Sequence, residues 1–418
     1  MKTSALRFLE QCRTWWAATT PLRQDALLYV LAAAFALAMW ATSATIAESR
    51  WGALAAPGYV LGGLICIVAG RVGPTVVRRV RIWSVALVLV LTSLVPLAVL
   101  AEDRALHPAG NFAQPEVMVI ERAGAFEWQG HSPYQSYWYA GTLKNPVVDA
   151  PAYESFFPYL PEMGVFGVPA AITHHHDAWA DARVIMTLFT LLCLAIALWL
   201  LQLPYRLGIR VVQWMAALPT GAMFFATGGD DLPILGLLLV AVALLHRRRA
   251  TGASIVVGIG AALKFTAWPL VAGAALVARS GAGRCAWRRV LFISALLVGV
   301  TALPFYLHNP SAFVDNVLLF PTGAGHVTSP AASDFPGHVL SMLSPVAAKV
   351  LQLAVVASGY FFLRFIHRHW PLDVARMLSI MAFATSLVIC AATATRFGYV
   401  IYPMNFWLWS YAIGHARR

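Results

Sequence analysis

Long apolar runs alternate along this chain with short basic breaks and with two extended polar, aromatic stretches. The runs near 25–47, 55–70, 83–101, 184–203, 211–228, 232–246, 252–264, 265–279, 288–307, 346–366, 373–394 and 397–414 read as twelve membrane spans with both termini cytoplasmic. Several are shorter than the roughly 20 residues a spanning helix needs. The two runs flanking Lys264 are the clearest case, and half-length helices joined at a break are expected there. The two stretches outside the runs, 102–183 and 308–345, are rich in Pro, Gly, His and aromatic residues. Loops of that length in a compact fold are usually functional.

Composition removes the soluble alternatives. A chain of 418 residues that is 60% apolar and 11% charged, with a mean hydropathy of +0.69, cannot cover itself with polar surface. The net charge of +12 would suggest nucleic acid in a soluble protein, but here it sorts by side of the membrane. The cytoplasmic side of this layout holds 22 of the 30 basic residues, among them Arg78, Arg79, Arg81 and Arg247 to Arg249. Of the 18 acids it holds only Glu10, Asp25 and Asp373, so both long loops face outward. Membrane lipids are therefore the expected surroundings, and no nucleic acid is expected.

Reading 158–173 as a full span would carry Arg247 to Arg249 outside, so Tyr159 to Ile172 is expected as a re-entrant or interfacial helix. Leu6 to Arg23 is basic and Trp-bearing, lacks a small-residue cleavage site, and reads as an interfacial cytoplasmic helix. No internal repeat stands out. Cys12, Cys66, Cys193, Cys285 and Cys390 fall in spans or on the cytoplasmic side, where a structural disulfide is not expected.

Candidate chemistry lies on the outward side. Glu116 follows the third span closely and precedes Tyr134 of Gly-His-Ser-Pro-Tyr by eighteen residues. A carboxylate projected there by a short helix and a Gly turn can act as general base on a hydroxyl. The plain alternative is a solvated loop acid, and Glu121, Glu127, Glu154 and Glu162 compete for the same role. Gly228-Gly229-Asp230-Asp231 enters one span, and Lys264 sits in Gly258 to Pro269. A lysine at that depth calls for an anionic partner, either a phosphate or Asp230 and Asp231. Arg396 is an isolated outward cation: a fork for phosphate oxygens, or a snorkelling interfacial side chain. In the second loop His308, His326 and His338 are further phosphate donors or acid–base groups. Adjacent His174, His175 and His176 point in different directions and lack a second ligand group, so no metal and no cofactor is expected. The aromatic first loop, including Tyr134 and Tyr159, suits a headgroup-level position and favours a lipid substrate.

In order and spacing these pieces resemble the C-type glycosyltransferases, and within them glycosyltransferase family 87, the membrane mannosyltransferases that use polyprenyl-phosphate sugars. The resemblance rests on Glu116, Gly130 to Tyr134, Phe157-Pro158-Tyr159-Leu160-Pro161, Gly229 to Asp231, Arg247 to Arg249, Gly258 to Pro269, and Arg396-Phe-Gly-Tyr-x-x-x-Pro403. It covers the chain from about residue 83 onward. Two features depart from the family pattern: Glu116 stands where Asp is commoner, and the acid-bearing loop follows the third span rather than the first.

The resemblance implies an all-α polytopic membrane protein, a bundle of about twelve transmembrane helices with a large outward catalytic loop. Residues 1–82 would be an interfacial helix and an added transmembrane pair, and 83–418 the glycosyltransferase domain. The implied activity is inverting transfer of a sugar, mannose first, from a polyprenyl-phosphate donor to a lipid or cell-envelope glycan acceptor at the outer face of a plasma membrane. Glu116, or Glu121 after it, would be the base. Lys264, Arg396, His326 and His338 would hold the donor phosphate, with Asp230, Asp231, Tyr134 and Tyr159 lining the cavity. The rival classes are a lipid-linked-sugar flippase or solute transporter, which would place its sites at the bilayer midplane in inverted halves, and a non-catalytic envelope assembly partner.

Overall fold

The computed structural model describes residues 14, 18–71, 76–107, 110–173, 177–281, 285–369 and 372–416. Most of the Leu6 to Arg23 segment, and His174 to His176, lie outside the described residues. Among the described residues, eight helices are long and apolar enough to cross a membrane. They are α1 (Pro21–Thr42), α2 (Ile46–Ala69), α3 (Val77–Leu106), α6 (Ala182–Leu201), α7 (Tyr205–Thr227), α11 (Ala286–His308), α14 (Pro345–His369) and α15 (Val374–Ala391). The span of α14 that meets this criterion ends at Ile366. Four further apolar runs form shorter helices: α8 (Asp231–His246), α9 (Ala250–Leu263), α10 (Trp268–Gly281) and α16 (Ile401–Ala416). The chain is thus an all-α polytopic membrane protein.

Contacts divide the chain into two units, the first made of 1–113 with 205–229. In this unit α3 and α7 each carry a π-helical turn, at Val90–Leu94 and Gln213–Ala217. Pro219 restarts α7 after Leu218 turns extended, so the carbonyls of Ala216 and Ala217 lose their usual helical donors. Hydroxyls supply the loss: Ser93 donates to the Ala216 carbonyl at 2.7 Å, and Tyr59 and Thr92 donate to that of Ala217 at 2.9 and 3.2 Å. Asp25, fully buried, accepts from Arg81, Arg210 and Gln213. A buried carboxylate persists only when paired in this way. Helix α2 begins at Ile46 rather than near 55, because its polar first turn, with Glu48 held by Ser43, precedes the apolar run.

The second unit comprises 114–204 and 230–418. Its central helix α8 is buried on every face from Leu232 to Ala243, which is why its sequence shows no polar stripe. Helix α9 meets α11 at Gly258, where a Cβ would lie 2.7 Å from Leu297 and 3.1 Å from the Ser294 Cα. Such small-residue contacts let membrane helices approach closely. The expected break falls at Lys264, whose extended backbone (φ −156°, ψ 144°) ends α9, and a 3-10 turn (Phe265–Ala267) leads into α10.

The first long loop is built rather than loose. It opens with α4 (Pro115–Trp128) and continues through a hairpin, β1 (Tyr137–Tyr139) paired antiparallel with β2 (Thr142–Lys144). Ala140 and Gly141 take the positive φ that a tight two-residue turn requires. The expected re-entrant helix is a 3-10 segment, Pro161–Gly167, followed by the short α5 (Val168–Ile172), since Pro161, Gly164, Gly167 and Pro169 interrupt regular α geometry. Helix α4 lies directly on that segment: a Cβ on Gly124 would sit 2.4 Å from the Gly167 carbonyl carbon. The second long loop contains α12 (Pro310–Val314), a π turn (Asp315–Leu319) and α13 (Pro336–Leu343).

Candidate active site

Helix α4 starts with Pro115 at its first position and Glu116 in its first turn, where proline costs no hydrogen bond and the helix dipole favours an acid. The Glu116 carboxylate accepts a hydrogen bond from the Arg396 guanidinium through Oε1, while Oε2 is buried without a hydrogen-bond partner. Side-chain exposure is 14% for Glu116 and 34% for Arg396, so the pair is shielded on the acid side and more open on the cation side.

The second loop holds Arg396 in place. The Ser333 N–H donates to the Thr395 carbonyl at 2.9 Å, and the Thr395 N–H donates to that of Ala331 at 2.9 Å. The Phe397 N–H donates to the Ser333 hydroxyl at 3.0 Å, and the rings of Phe335 and Phe397 lie 4.9 Å apart.

Lys264 makes a second cluster at the helix break. Its ammonium donates to Asp230 Oδ2 at 2.7 Å and to Asp231 Oδ1 at 2.6 Å. It also lies 5.3 Å from the ring centre of Tyr159 and 5.5 Å from that of Tyr399, within cation–π range. The Tyr402 hydroxyl donates to Asp231 at 2.7 Å and shares a 2.6 Å hydrogen bond with Thr266. The Leu160 N–H caps the Leu263 carbonyl at 3.1 Å and ties the first loop to the break. Burial, then the charges of Asp230 and Glu116, pushes the Tyr159 phenol upward, and Arg396 acts against that shift. Glu116, Arg396, Lys264, Asp230, Asp231 and Tyr159 therefore share one neighbourhood.

Other candidates have different positions. Glu121 is 2% exposed, and its carboxylate accepts from the Ala182 N–H at 3.0 Å, at the start of α6. Tyr134 is buried among Phe157, Phe305 and Phe313 and donates to the Tyr159 carbonyl at 2.9 Å, so it supports Tyr159 from below. His326 stacks on Trp138 at 4.9 Å, and His338 Nδ1 pairs with the Thr393 carbonyl at 2.8 Å. Neither histidine has a hydrogen bond to Glu116, Lys264 or Arg396. Burial, then the neighbouring Glu162, pushes the Glu127 carboxyl from 4.5 up to about 8. Among the described residues no group of three His, Cys, Asp or Glu is gathered as a metal site would need.

Sequence reasoning missed Asp315 and Asn316, which join the two long loops. Asp315 accepts from the Trp138 N–H at 2.5 Å. Asn316, fully buried, accepts from the Phe157 N–H at 2.7 Å and donates to the Ser136 carbonyl at 2.6 Å. It missed Tyr402 as well, and it passed over Tyr399, whose only signal was its place in the Arg396-Phe-Gly-Tyr segment.

The arrangement is that of a polytopic membrane protein whose acids, cations and tyrosines gather where a folded loop meets helix ends. Comparison with family models gives the class directly: glycosyltransferase family 87 matches residues 157–392, more than half of the chain. The chain belongs to glycosyltransferase family 87, and Asp230, Asp231, Lys264 and Tyr159 lie within the matched residues while Glu116 and Arg396 flank them. Comparisons with curated proteins and with solved structures return no match.

Proposed function

We propose that this protein is an inverting glycosyltransferase that moves a sugar, mannose first, from a polyprenyl-phosphate donor to a lipid or cell-envelope glycan acceptor at the outer membrane face. The donor already carries a good leaving group, so the protein has to position, deprotonate and neutralise charge. Glu116 Oε2 takes the proton of the acceptor hydroxyl. That oxygen attacks the anomeric carbon opposite the phosphate, and the carbon–oxygen bond to phosphate breaks with its electron pair leaving on the polyprenyl phosphate.

The observation that carries this reading is the state of Glu116: one oxygen anchored by Arg396, the other buried and unpartnered. A carboxylate held at one end and bare at the other suits a base. Arg396 orients the acid and offers its remaining N–H groups to the donor phosphate. Lys264 has three protons, two engaged by Asp230 and Asp231, which leaves one for phosphate. His326 and His338 are assigned to the donor side after loop movement, and Tyr134 and Tyr159 to the cavity wall. Glu121 is the second choice for base. In this reading residues 1–82 are an added segment, 83–418 carry the activity, and both termini are cytoplasmic in a plasma membrane.

The test is Glu116→Gln in proteoliposomes supplied with polyprenyl-phosphate mannose and a mannoside acceptor. Loss of about 100- to 10,000-fold in rate at normal expression is expected. A near wild-type rate would remove Glu116 as base.

A further inference from the structure

The end of the first unit where α1, α3 and α7 begin carries two layers of arginine. On α3, Arg78 and Arg81 stand three positions apart, and on α7, Arg206 and Arg210 stand four apart, so each pair shares one face of its helix. The inner members meet at a carboxylate: Arg81 and Arg210 each donate to buried Asp25 at 2.6 Å. The outer members meet at a ring instead. The guanidinium carbon of Arg78 lies 5.5 Å from the ring centre of Tyr205 and that of Arg206 lies 5.9 Å from it, and Arg206 Nε donates to the Tyr205 hydroxyl at 3.2 Å.

The outer layer has the donors of an anion site and no carboxylate of its own. Asp25 is the only acid in the opening turns of the three helices, and the inner arginines already engage it. Among the described residues neither Arg78 nor Arg206 forms an ion pair, and both are exposed. Each guanidinium has five N–H donors, and two like charges drawn to one ring repel each other until an anion lies between them. An excess of arginine on one side orients any polytopic chain in its membrane, but that role needs charge without geometry. Here the geometry is specified, since Asp25 ties α3 to α7 through the inner arginines and Tyr205 collects the outer ones. The surface next to the pair is apolar. From Arg78, one ridge of α3 presents Ile82, Ala86 and Val90 at four-residue steps, all exposed, and Trp83 beside them is 74% exposed. A face that passes from cation to exposed aliphatic within one turn, with a tryptophan alongside, suits the boundary between headgroups and acyl chains.

We propose that Arg78, Tyr205 and Arg206 form a binding site for an anionic glycerophospholipid, its phosphodiester between the two guanidiniums and one acyl chain along Ile82, Ala86 and Val90. The planar guanidinium fork matches phosphate oxygens, and basic pockets between membrane helices take anionic headgroups. A nucleic acid or an acidic protein would use the arginines and leave the apolar ridge without a role. The inference goes beyond the transfer reaction and does not depend on it. It gives the first unit a task of its own, to hold one membrane lipid where α3 and α7 begin.

The experiment titrates the full chain in detergent with dioleoyl phosphatidylglycerol or dioleoyl phosphatidylcholine and counts bound lipid by native mass spectrometry. The proteins are wild type, Arg78→Gln, Arg206→Gln, the double change, and Arg79→Gln, which removes an exposed charge next in sequence but outside the pair. Wild type is expected to hold one phosphatidylglycerol about 10-fold more tightly than phosphatidylcholine. Each change within the pair is expected to weaken phosphatidylglycerol about 10-fold and the double change about 100-fold, with phosphatidylcholine unaffected and Arg79→Gln like wild type. A loss in Arg79→Gln as large as in Arg78→Gln would mean diffuse attraction by net charge and overturn the site. Equal binding of the two lipids by wild type, or full retention by the double variant, would overturn it as well. Displacement of phosphatidylglycerol by equimolar inorganic phosphate would assign the arginines to a soluble anion and remove the lipid. A double variant that melts well below wild type in phosphatidylcholine alone would assign the pair to the fold instead. No arm measures sugar transfer, so the result stands apart from the role of Glu116.

Discussion

Replacing Lys264 by Met separates a structural role from a donor-binding role. The change keeps the apolar stem and deletes the charge, leaving Asp230 and Asp231 side by side with the Tyr402 hydroxyl still donating to Asp231. Each ion pair has an N to O distance of 2.6 to 2.7 Å, for which the Coulomb attraction at an effective dielectric of 20 is about 6 kcal/mol. Desolvation offsets most of that attraction, and measured losses on removing one partner of a buried pair are about 3–5 kcal/mol. Against a total stability of roughly 5–15 kcal/mol this is severe, and for a chain of 418 residues it corresponds to a fall in melting temperature of about 3–6 °C. The assay is thermal unfolding of the detergent-solubilised protein for Lys264→Met and for the triple change Lys264→Met, Asp230→Asn, Asp231→Asn. The triple variant, free of bare charge, is expected to recover most of the loss in stability and still to bind polyprenyl-phosphate mannose poorly. A single variant that melts like wild type, with weakened donor binding alone, would show that the two aspartates do not need their lysine, and the argument from charge balance would fall.

Three other outcomes follow from the loops and their joints. Glu127 has its folded-state pKa raised from 4.5 to about 8, so the folded protein holds a proton there that the unfolded chain has lost, and stability falls as pH rises through that window. Glu127→Gln is expected to flatten this slope, melting higher than wild type near pH 9 and much like it near pH 5; parallel curves would show that the burial of Glu127 does not govern the slope. Asn316→Ala deprives the Phe157 N–H and the Ser136 carbonyl of their partners, at about 1–3 kcal/mol each, and hydrogen exchange over 135–157 is expected to rise while the helices stay protected. Arg396→Met is expected to lower the transfer rate at saturating donor as well as raising donor KM, since it releases Glu116; a change in donor KM alone would confine Arg396 to the phosphate.

The helical plan was legible because burial in lipid imposes one rule on every segment. The break at Lys264 therefore appears where it reads, eight of the apolar runs form helices long enough to span among the described residues, and the lysine is paired with both aspartates. Helix ends were less legible, since polar first turns such as Glu48 to Arg50 are helical without being apolar. The loops were the least legible. Nothing local in Asn316 tells that it will meet residues nearly 160 and 180 positions earlier, at Phe157 and Ser136. The pairing of Arg396 with Glu116 joins residues 280 apart, and the chain pattern could identify both as unusual without linking them.

The π turns at Val90–Leu94 and Gln213–Ala217 also bear on how the chain tolerates changes of length. A π turn is an α-helix carrying one residue too many, so deleting one residue from either would restore regular winding. In α7 that repair would swing everything on one side by about 100° and carry the Ala216 and Ala217 carbonyls away from Ser93, Thr92 and Tyr59. The more regular helix would thus be the less stable protein, and length at these two places is as tightly specified as residue identity.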